Sequence, residues 1–240
     1  MIICPSSRGV ISGPADPFFS SVVFLCHFNS SSGAGPTTYV QSSPRGSAIS
    51  SVGNTVVASS AQSKFGGFSL CYPPAVTVIK VQSVDTDYQM GSGDFTLEWW
   101  QYLATISALT EPFDLRDTAN QVAPTVYCQA TGVIKYFVSN TDRITSSANA
   151  VAVNTWQHIA LTRSGTSTKL FVDGTQVGST YTDSNNYNAS STMTIGNAHV
   201  GGVPVSSASN PGYIDEVRVT KGVARYASNF TPPSKPFPDH

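Results

Sequence analysis

The sequence predicts an all-β fold of stacked sheets, and three observations predict it. Apolar and polar residues alternate with period two in the strongest segments, and tight-turn residues separate those segments. Val, Thr, Phe and Tyr stand where helical chains would carry Leu and Ala. The clearest stretch runs from Trp156 to Gly178. Ile159 and Leu161 alternate with His158, Ala160 and Thr162, the pattern of a strand with unequal faces. Ser164-Gly165-Thr166-Ser167 has turn chemistry, and Leu170-Phe171-Val172 is a second β-rich run. Asp173-Gly174 closes that run as a hairpin turn, because Gly accepts positive φ at low steric cost. A meander of this kind cannot bury its apolar face alone and needs a second sheet against it.

At 240 residues, one β-sandwich accounts for the whole length. Neither an internal repeat nor a linker-like break in composition divides it. Charged residues are 11 % of the chain and the net charge is −1, against roughly 25 % charged residues in an ordinary domain. Lys and Arg are scattered, so no basic face points to nucleic acid or an anionic membrane as partner. A surface so poor in charge suits a protein held on a larger assembly. Cys4, Cys26, Cys71 and Cys128 lack metal-ligand spacing, and buried free thiols are the plainer reading over a disulfide. No segment has the form of a signal peptide or a membrane span. The N-x-S/T triplets at Asn29, Asn188 and Asn229 are therefore expected to stay unused.

In chain order, residues 1–20 carry Pro5, Pro14 and Pro17 and form an irregular arm. Val22 to Phe28 is a near-continuous apolar run, hence a strand covered on both faces. Short Thr/Val/Ser strands fill residues 37–61, and Lys64 to Leu70 leads into a stretch broken by Pro73-Pro74. From Phe95 to Tyr102 the faces separate: Phe95, Leu97 and Trp99 are assigned to the core, with Thr96, Glu98, Trp100 and Tyr102 opposite. Val122 to Val138 contains two strands around Gly132, and Met193 to Ile195 is a short one. Gly212 to Val219 is the last strong strand. Its Ile214 and Val217 are three apart, so a bulge at Asp215-Glu216 reconciles the two phases. Residues 231–240, with Pro232, Pro233, Pro236 and Pro238, form an extended tail. The domain proper is therefore 21–230, between two arms.

Five segments, taken together, resemble the laminin-G-like members of the concanavalin A-like lectin/glucanase superfamily, in the form found in bacteriophage structural proteins. They are Asp16 to Leu25, Ala61 to Gly67, Gly93 to Trp100, Trp156 to Arg163, and Gly212 to Tyr226 continuing to Asn229-Phe230-Thr231-Pro232-Pro233. The resemblance implies a two-sheet antiparallel jelly-roll sandwich. It also implies a non-enzymatic structural protein of the virion, as capsid decoration or tail component, with the host cytoplasm as its place during assembly. The terminal arms would then contact other virion proteins, in a symmetric assembly or homo-oligomer. Such domains often carry Asp-Gly where this chain has Asn29-Ser30, and a Gly/Asp-rich turn where it has Pro73-Pro74-Ala75-Val76.

An enzyme of this superfamily would be a β-glycanase, which needs two carboxylates at a set separation across the scissile bond. The usual Glu-x-Asp-x-x-Glu spacing is missing, and Glu98, Glu111 and Glu216 are the only glutamates. Asp215 and Glu216 are adjacent, so a regular strand would point them to opposite faces. For calcium, Asp85, Asp87, Asp173 and Asp215 are the acids to consider, but turn capping is the plainer role and no cofactor is expected. The alternative function is an adhesin for host-surface polysaccharide. Trp100, Tyr102 and Glu98 are its candidate contacts, since sugars stack on exposed aromatic rings. The competing reading is that a loop or second layer covers that surface and makes Trp100 ordinary core. Trp156, His158, Tyr181, Tyr187 and Tyr213 read as packing, and His27 and His199 carry no assigned role.

Overall fold

In this computed structural model the described residues are 15–29, 41–46, 49–52, 57–72, 78–82, 86–106, 109–116, 122–188, 192–196, 199–200, 203–204 and 212–240. The strands in chain order are β1 (Val22–Cys26), β2 (Ile49–Val52), β3 (Val57–Ser59), β4 (Ser69–Tyr72), β5 (Val78–Gln82), β6 (Phe95–Leu103), β7 (Thr110–Asp114), β8 (Thr125–Cys128) and β9 (Ile134–Val138). There follow β10 (Thr141–Thr145), β11 (Trp156–Ser164), β12 (Ser167–Val172), β13 (Thr175–Thr182), β14 (Thr192–Ile195), β15 (His199–Val200), β16 (Val203–Pro204) and β17 (Gly212–Lys221). One sheet runs β13-β12-β11-β6-β17-β4-β3, with β1 also paired to β17, and the other β10-β9-β8-β7-β14-β5-β2. β15 and β16 form a separate small ribbon. Apart from one 3-10 turn at Phe19–Ser21, the described residues are strand and loop. This is the two-sheet antiparallel jelly-roll sandwich that the sequence predicts.

The alternation in β6 places the core. Phe95, Leu97, Trp99 and Leu103 face the second sheet with the inward residues of β8, β9 and β11, and Trp99 stacks on Phe113 of β7 at 5.4 Å and 12°. The Asp173-Gly174 turn joins β12 to β13 with both residues at positive φ (48° and 75°), the geometry that suits the right-handed twist of a two-residue hairpin. Cys26 and Cys128 are buried free thiols, both pushed up to about 12 by burial, and Cys71 is a half-buried one. Cys4 lies outside the described residues.

β17 carries the bulge that the spacing of Ile214 and Val217 demands. Its register against β6 shifts between Asp215 and Arg218, and Glu216 takes φ 52°. The other edge of β17 is shared: β4 pairs with Gly212 to Ile214, and β1 with Val217 to Thr220. The bulge sits at the handover.

Two strands escape the sequence reading. β7 contains Pro112, which cannot donate to a ladder, and its register against β8 shifts around that residue. β10 follows a turn at Ser139-Asn140, both at positive φ, without the glycine that marks such turns.

The tail is extended as expected, but it lies across the protein's own first sheet. Phe237 packs on Val22 and Leu25 and is 2 % exposed, and its N–H donates to Glu216 Oε2 at 2.8 Å. Further back, Phe230 packs edge-on to Phe171 and stacks on Tyr226, while its N–H bonds Gly174 O. At the other end of the chain, Asp16 N–H bonds His240 O. The contacts that these segments make here are thus with their own domain. Most of the expected N-terminal arm, residues 1–14, lies outside the described residues.

The margins of the two sheets meet where β13 passes β10. Gly178, at φ 65°, has no room for a side chain: a Cβ there would lie 2.7 Å from Ile144 Cγ2 and from Thr145 O. Gly165, at φ 58°, has nothing within 4 Å of the same position. Both substitutions to Ala meet backbone strain, but only Gly178→Ala adds a clash. Gly178→Ala is expected to cost about 1–3 kcal/mol more than Gly165→Ala, read from the two urea midpoints.

Candidate functional site

The outward residues of β6, β11 and β17 build one continuous surface, and its two halves differ. At its centre Glu98 is fully buried. Its carboxylate accepts bonds from Arg218 Nε at 2.9 Å and Tyr226 Oη at 2.8 Å, and lies 3.2 Å from His158 Nε2. Arg218 and Arg225 both continue to Asp16, at 3.1 and 2.7 Å. The result is a two-acid, two-guanidinium cluster under a lid of Tyr226, Phe230 and Phe237, with the Arg218 guanidinium 4.0 Å from the Phe237 ring. Burial would raise the Glu98 pKa, but Arg218, His158 and Arg225 hold the carboxyl well below the usual carboxylate range. Asp16 is lowered as well.

Trp100 is only 5 % exposed. Phe65 meets it edge-on at 6.0 Å, and Lys64 Nζ stands 3.9 Å over its ring. Of the three candidate contacts read from the sequence, the structure therefore seals Glu98 and covers Trp100, leaving Tyr102 half-exposed. The covering layer is the tail together with Lys64-Phe65.

Tyr102 is not isolated. Register sets it opposite Trp156 on β11 and Tyr213 on β17, so three aromatic residues sit side by side across three adjacent strands. Ring centroids are 5.8 Å apart in both pairs, tilted by 55° and 75°. All three side chains are half-buried, and the Tyr102 hydroxyl donates to Asn154 Oδ1 at 3.3 Å. They form a faceted patch at the end of the sheet that the tail leaves open. Beside it, past the bridge of Leu103 to Val153, lies a cleft of about 400 Å³ lined by Ile106, Thr131, Gly132, Asn149, Val151 and Val153. Sequence reasoning assigned Trp156 and Tyr213 to packing. Only the register of β11, β6 and β17 shows that they join Tyr102.

The acids are engaged elsewhere. The bulge brings Asp215 and Glu216 to the same outer side of β17, because positive φ at Glu216 breaks the strand's alternation. Asp215 accepts N–H groups of Lys64, Phe65 and Glu216. Glu216 accepts the Phe237 N–H and lies 2.8 Å from His27 Nδ1. His27 thus has a partner, although the sequence assigned it none: burial disfavours its cation, but Glu216 beside it raises the pKa. Burial, with Glu216 adjacent, pushes Asp215 up to about 7. On the second sheet, burial and Asp114 push Glu111 up to about 7 despite an ion pair to Arg116 at 2.9 Å. Of the acids considered for calcium, Asp173 accepts the His158 N–H and a Gln157 amide bond, and Asp87 faces Arg45 at 4.0 Å. Asp85 lies outside the described residues. Among the described residues, no three His, Cys, Asp or Glu side chains are grouped to hold a metal ion.

Residues 79–225 match the family described as Laminin_G_3, concanavalin A-like lectin/glucanases superfamily. No curated protein matches the sequence. Among solved structures, the binding domain of Paraclostridial Mosquitocidal Protein 1 aligns with a TM-score of 0.66 at 12 % identity, over 88 % of this chain and 51 % of that one. Botulinum neurotoxin type C, whose cell entry depends on interaction with two ganglioside molecules, aligns at 0.59 and 14 % identity, over 89 % and 49 %. Trypanosoma rangeli sialidase, in complex with 2,3-difluorosialic acid, aligns at 0.59 and 12 % identity, over 88 % and 31 %. The chain thus spans about half or less of these structures, and at such identities the likeness is one of fold. None of the three is described as a virion component.

The Glu98 cluster makes acid stability its readout. A carboxyl held below its ordinary pKa stabilises the fold fully above the unfolded value, 4.5 for Glu98, and that contribution is lost as pH falls below it. Asp215 and Glu111, whose pKa values are raised, act in the opposite sense at higher pH, so the informative window lies below 4.5. Glu98→Gln, which leaves Arg218 short of a buried partner, is expected to cost about 3–5 kcal/mol at neutral pH. Its urea midpoint should then fall less than the wild type's on acidification through that window.

Proposed function

Because the chain belongs to the concanavalin A-like lectin/glucanases superfamily, we propose that it is a non-catalytic carbohydrate-binding module acting as an adhesin. The observation that carries this reading is the cross-strand row of Tyr102, Trp156 and Tyr213, left half-exposed where the rest of the outer face is covered. A sugar presents an apolar C–H face and a rim of hydroxyls. A tilted aromatic row can stack against the first while Asn154 and neighbouring loop amides meet the second. The fold-level neighbours described with a ganglioside or a sialic acid analogue support the same class of ligand.

The non-catalytic part rests on the acids. Glu98 is sealed among two arginines, and Asp215 and Glu216 are occupied by backbone N–H groups, which removes the open pair that glycoside hydrolysis needs. The virion setting rests on the sequence resemblance, and an adhesin carried on a particle accommodates both. In that setting the protein copurifies with particles at fixed copy number. Recovery only as free protein removes the setting and leaves the glycan reading intact.

Trp156→Ala is expected to weaken binding on a glycan array at least tenfold, since one stacked ring contributes about 1–1.5 kcal/mol beyond its buried area. Trp100→Ala, under its cover of Lys64 and Phe65, should lower thermal stability instead. Binding that survives Trp156→Ala and is lost in a still-folded Trp100→Ala would overturn this assignment.

A further inference from the structure

The end of the sandwich that carries the aromatic patch is almost without charge. Six connections leave and re-enter the sheets there: 53–56, 73–77, 104–109, 129–133, 146–155 and 196–211. Together they contain no Asp, Glu, Lys or Arg. At the chain's 11 % charged residues, these 46 positions would carry about five. What they carry instead is Ser, Thr, Asn and Gln among small apolar residues, with His199 the one titratable side chain. The turn at Asp173-Gly174 reaches the same end, but its carboxylate is committed to the His158 N–H and the Gln157 amide. The nearest cation on the outer face, Lys64, has its amine against the Trp100 ring, between the carboxylates of Asp173 and Asp215. The connections at the opposite end differ sharply: residues 83–94, 115–124 and 222–230 contain Asp85, Asp87, Asp94, Arg116, Asp117 and Arg225.

From this distribution, and resting on the carbohydrate-binding reading above, we infer that the patch of Tyr102, Trp156 and Tyr213 takes a neutral oligosaccharide, not a sialylated or uronate-bearing one. An anionic sugar entering a partly desolvated site needs a cationic or strongly donating partner for its carboxylate, or it loses hydration without return. A neutral sugar needs only apolar facets and uncharged donors and acceptors, which is what surrounds these rings. The cleft beside the patch, lined by Thr131, Asn149 and the apolar Ile106, Val151 and Val153, extends the same chemistry to a second sugar unit. This separates the chain from the fold-level neighbours described with gangliosides or a sialic acid analogue.

The test is an array of paired neutral, sialylated and uronate-containing glycans, followed by calorimetry on the best binder at two salt concentrations. The expected result is a preference for neutral glycans of tenfold or more. Their affinity should change less than about twofold between roughly 50 mM and 500 mM NaCl, because no ion pair is there to be screened. Trp156→Ala should abolish binding while circular dichroism stays native, and Trp156→Phe should retain part of it. Preferential, salt-sensitive binding of sialylated or uronate glycans that Trp156→Ala still abolishes overturns the neutral assignment and leaves the binding site standing. Binding of no glycan at all overturns the carbohydrate reading itself.

Discussion

A carboxylate sealed in the middle of a sheet must be neutralised where it stands, and the outer layer of this protein is arranged around that requirement at Glu98. Arg218 comes from the neighbouring strand, His158 from the strand on the other side, and Arg225 and Tyr226 from the segment after β17. Two guanidinium groups in turn need a second acid, which Asp16 supplies from the start of the described chain. Residues more than two hundred positions apart are thereby tied at one point. Replacing one member strands a charge in a dry site, which costs far more than the network itself contributes over an apolar equivalent. The cluster therefore specifies one arrangement of the outer layer.

The covering tail follows from the same arrangement. Tyr226 donates to Glu98, and Phe237 rests on Arg218, so the ions are roofed by aromatic rings instead of water. The bulge in β17 completes the roof: by turning Glu216 to the outer side it provides the acceptor for the Phe237 N–H. Positive φ at a glutamate is unfavourable in isolation and persists because both neighbouring acids are fully bonded. The roof ends at Trp100, and the row of Tyr102, Trp156 and Tyr213 begins where it stops.

Local signals in the sequence were sufficient for the strands and insufficient for the surface. Alternation in β6 identified the core face, Asp173-Gly174 identified a turn, and the three-residue spacing of Ile214 and Val217 identified a bulge, since each is a property of neighbouring residues. β7 was hidden by Pro112, and β10 by a turn without glycine. The candidate site fared less well because it depends on register between distant strands. Trp156 and Tyr213 meet only through β6, and Trp100 and Glu98 lost their exposure to a tail that composition described as extended but could not seat. His27 and Glu216, 189 residues apart in sequence, are the same case.

Open sheet margins invite pairing between molecules, and many proteins deter it with lysines or inward-pointing charges along the edge strand. This chain has few charges to spend there. At Gly178 the margin of one sheet instead folds against Ile144 and Thr145 on the margin of the other, so each blocks approach to its neighbour's unpaired backbone. Shape does here what repulsion does elsewhere, and a weakly charged surface of this kind tolerates dense packing of many copies without drifting into fibrils.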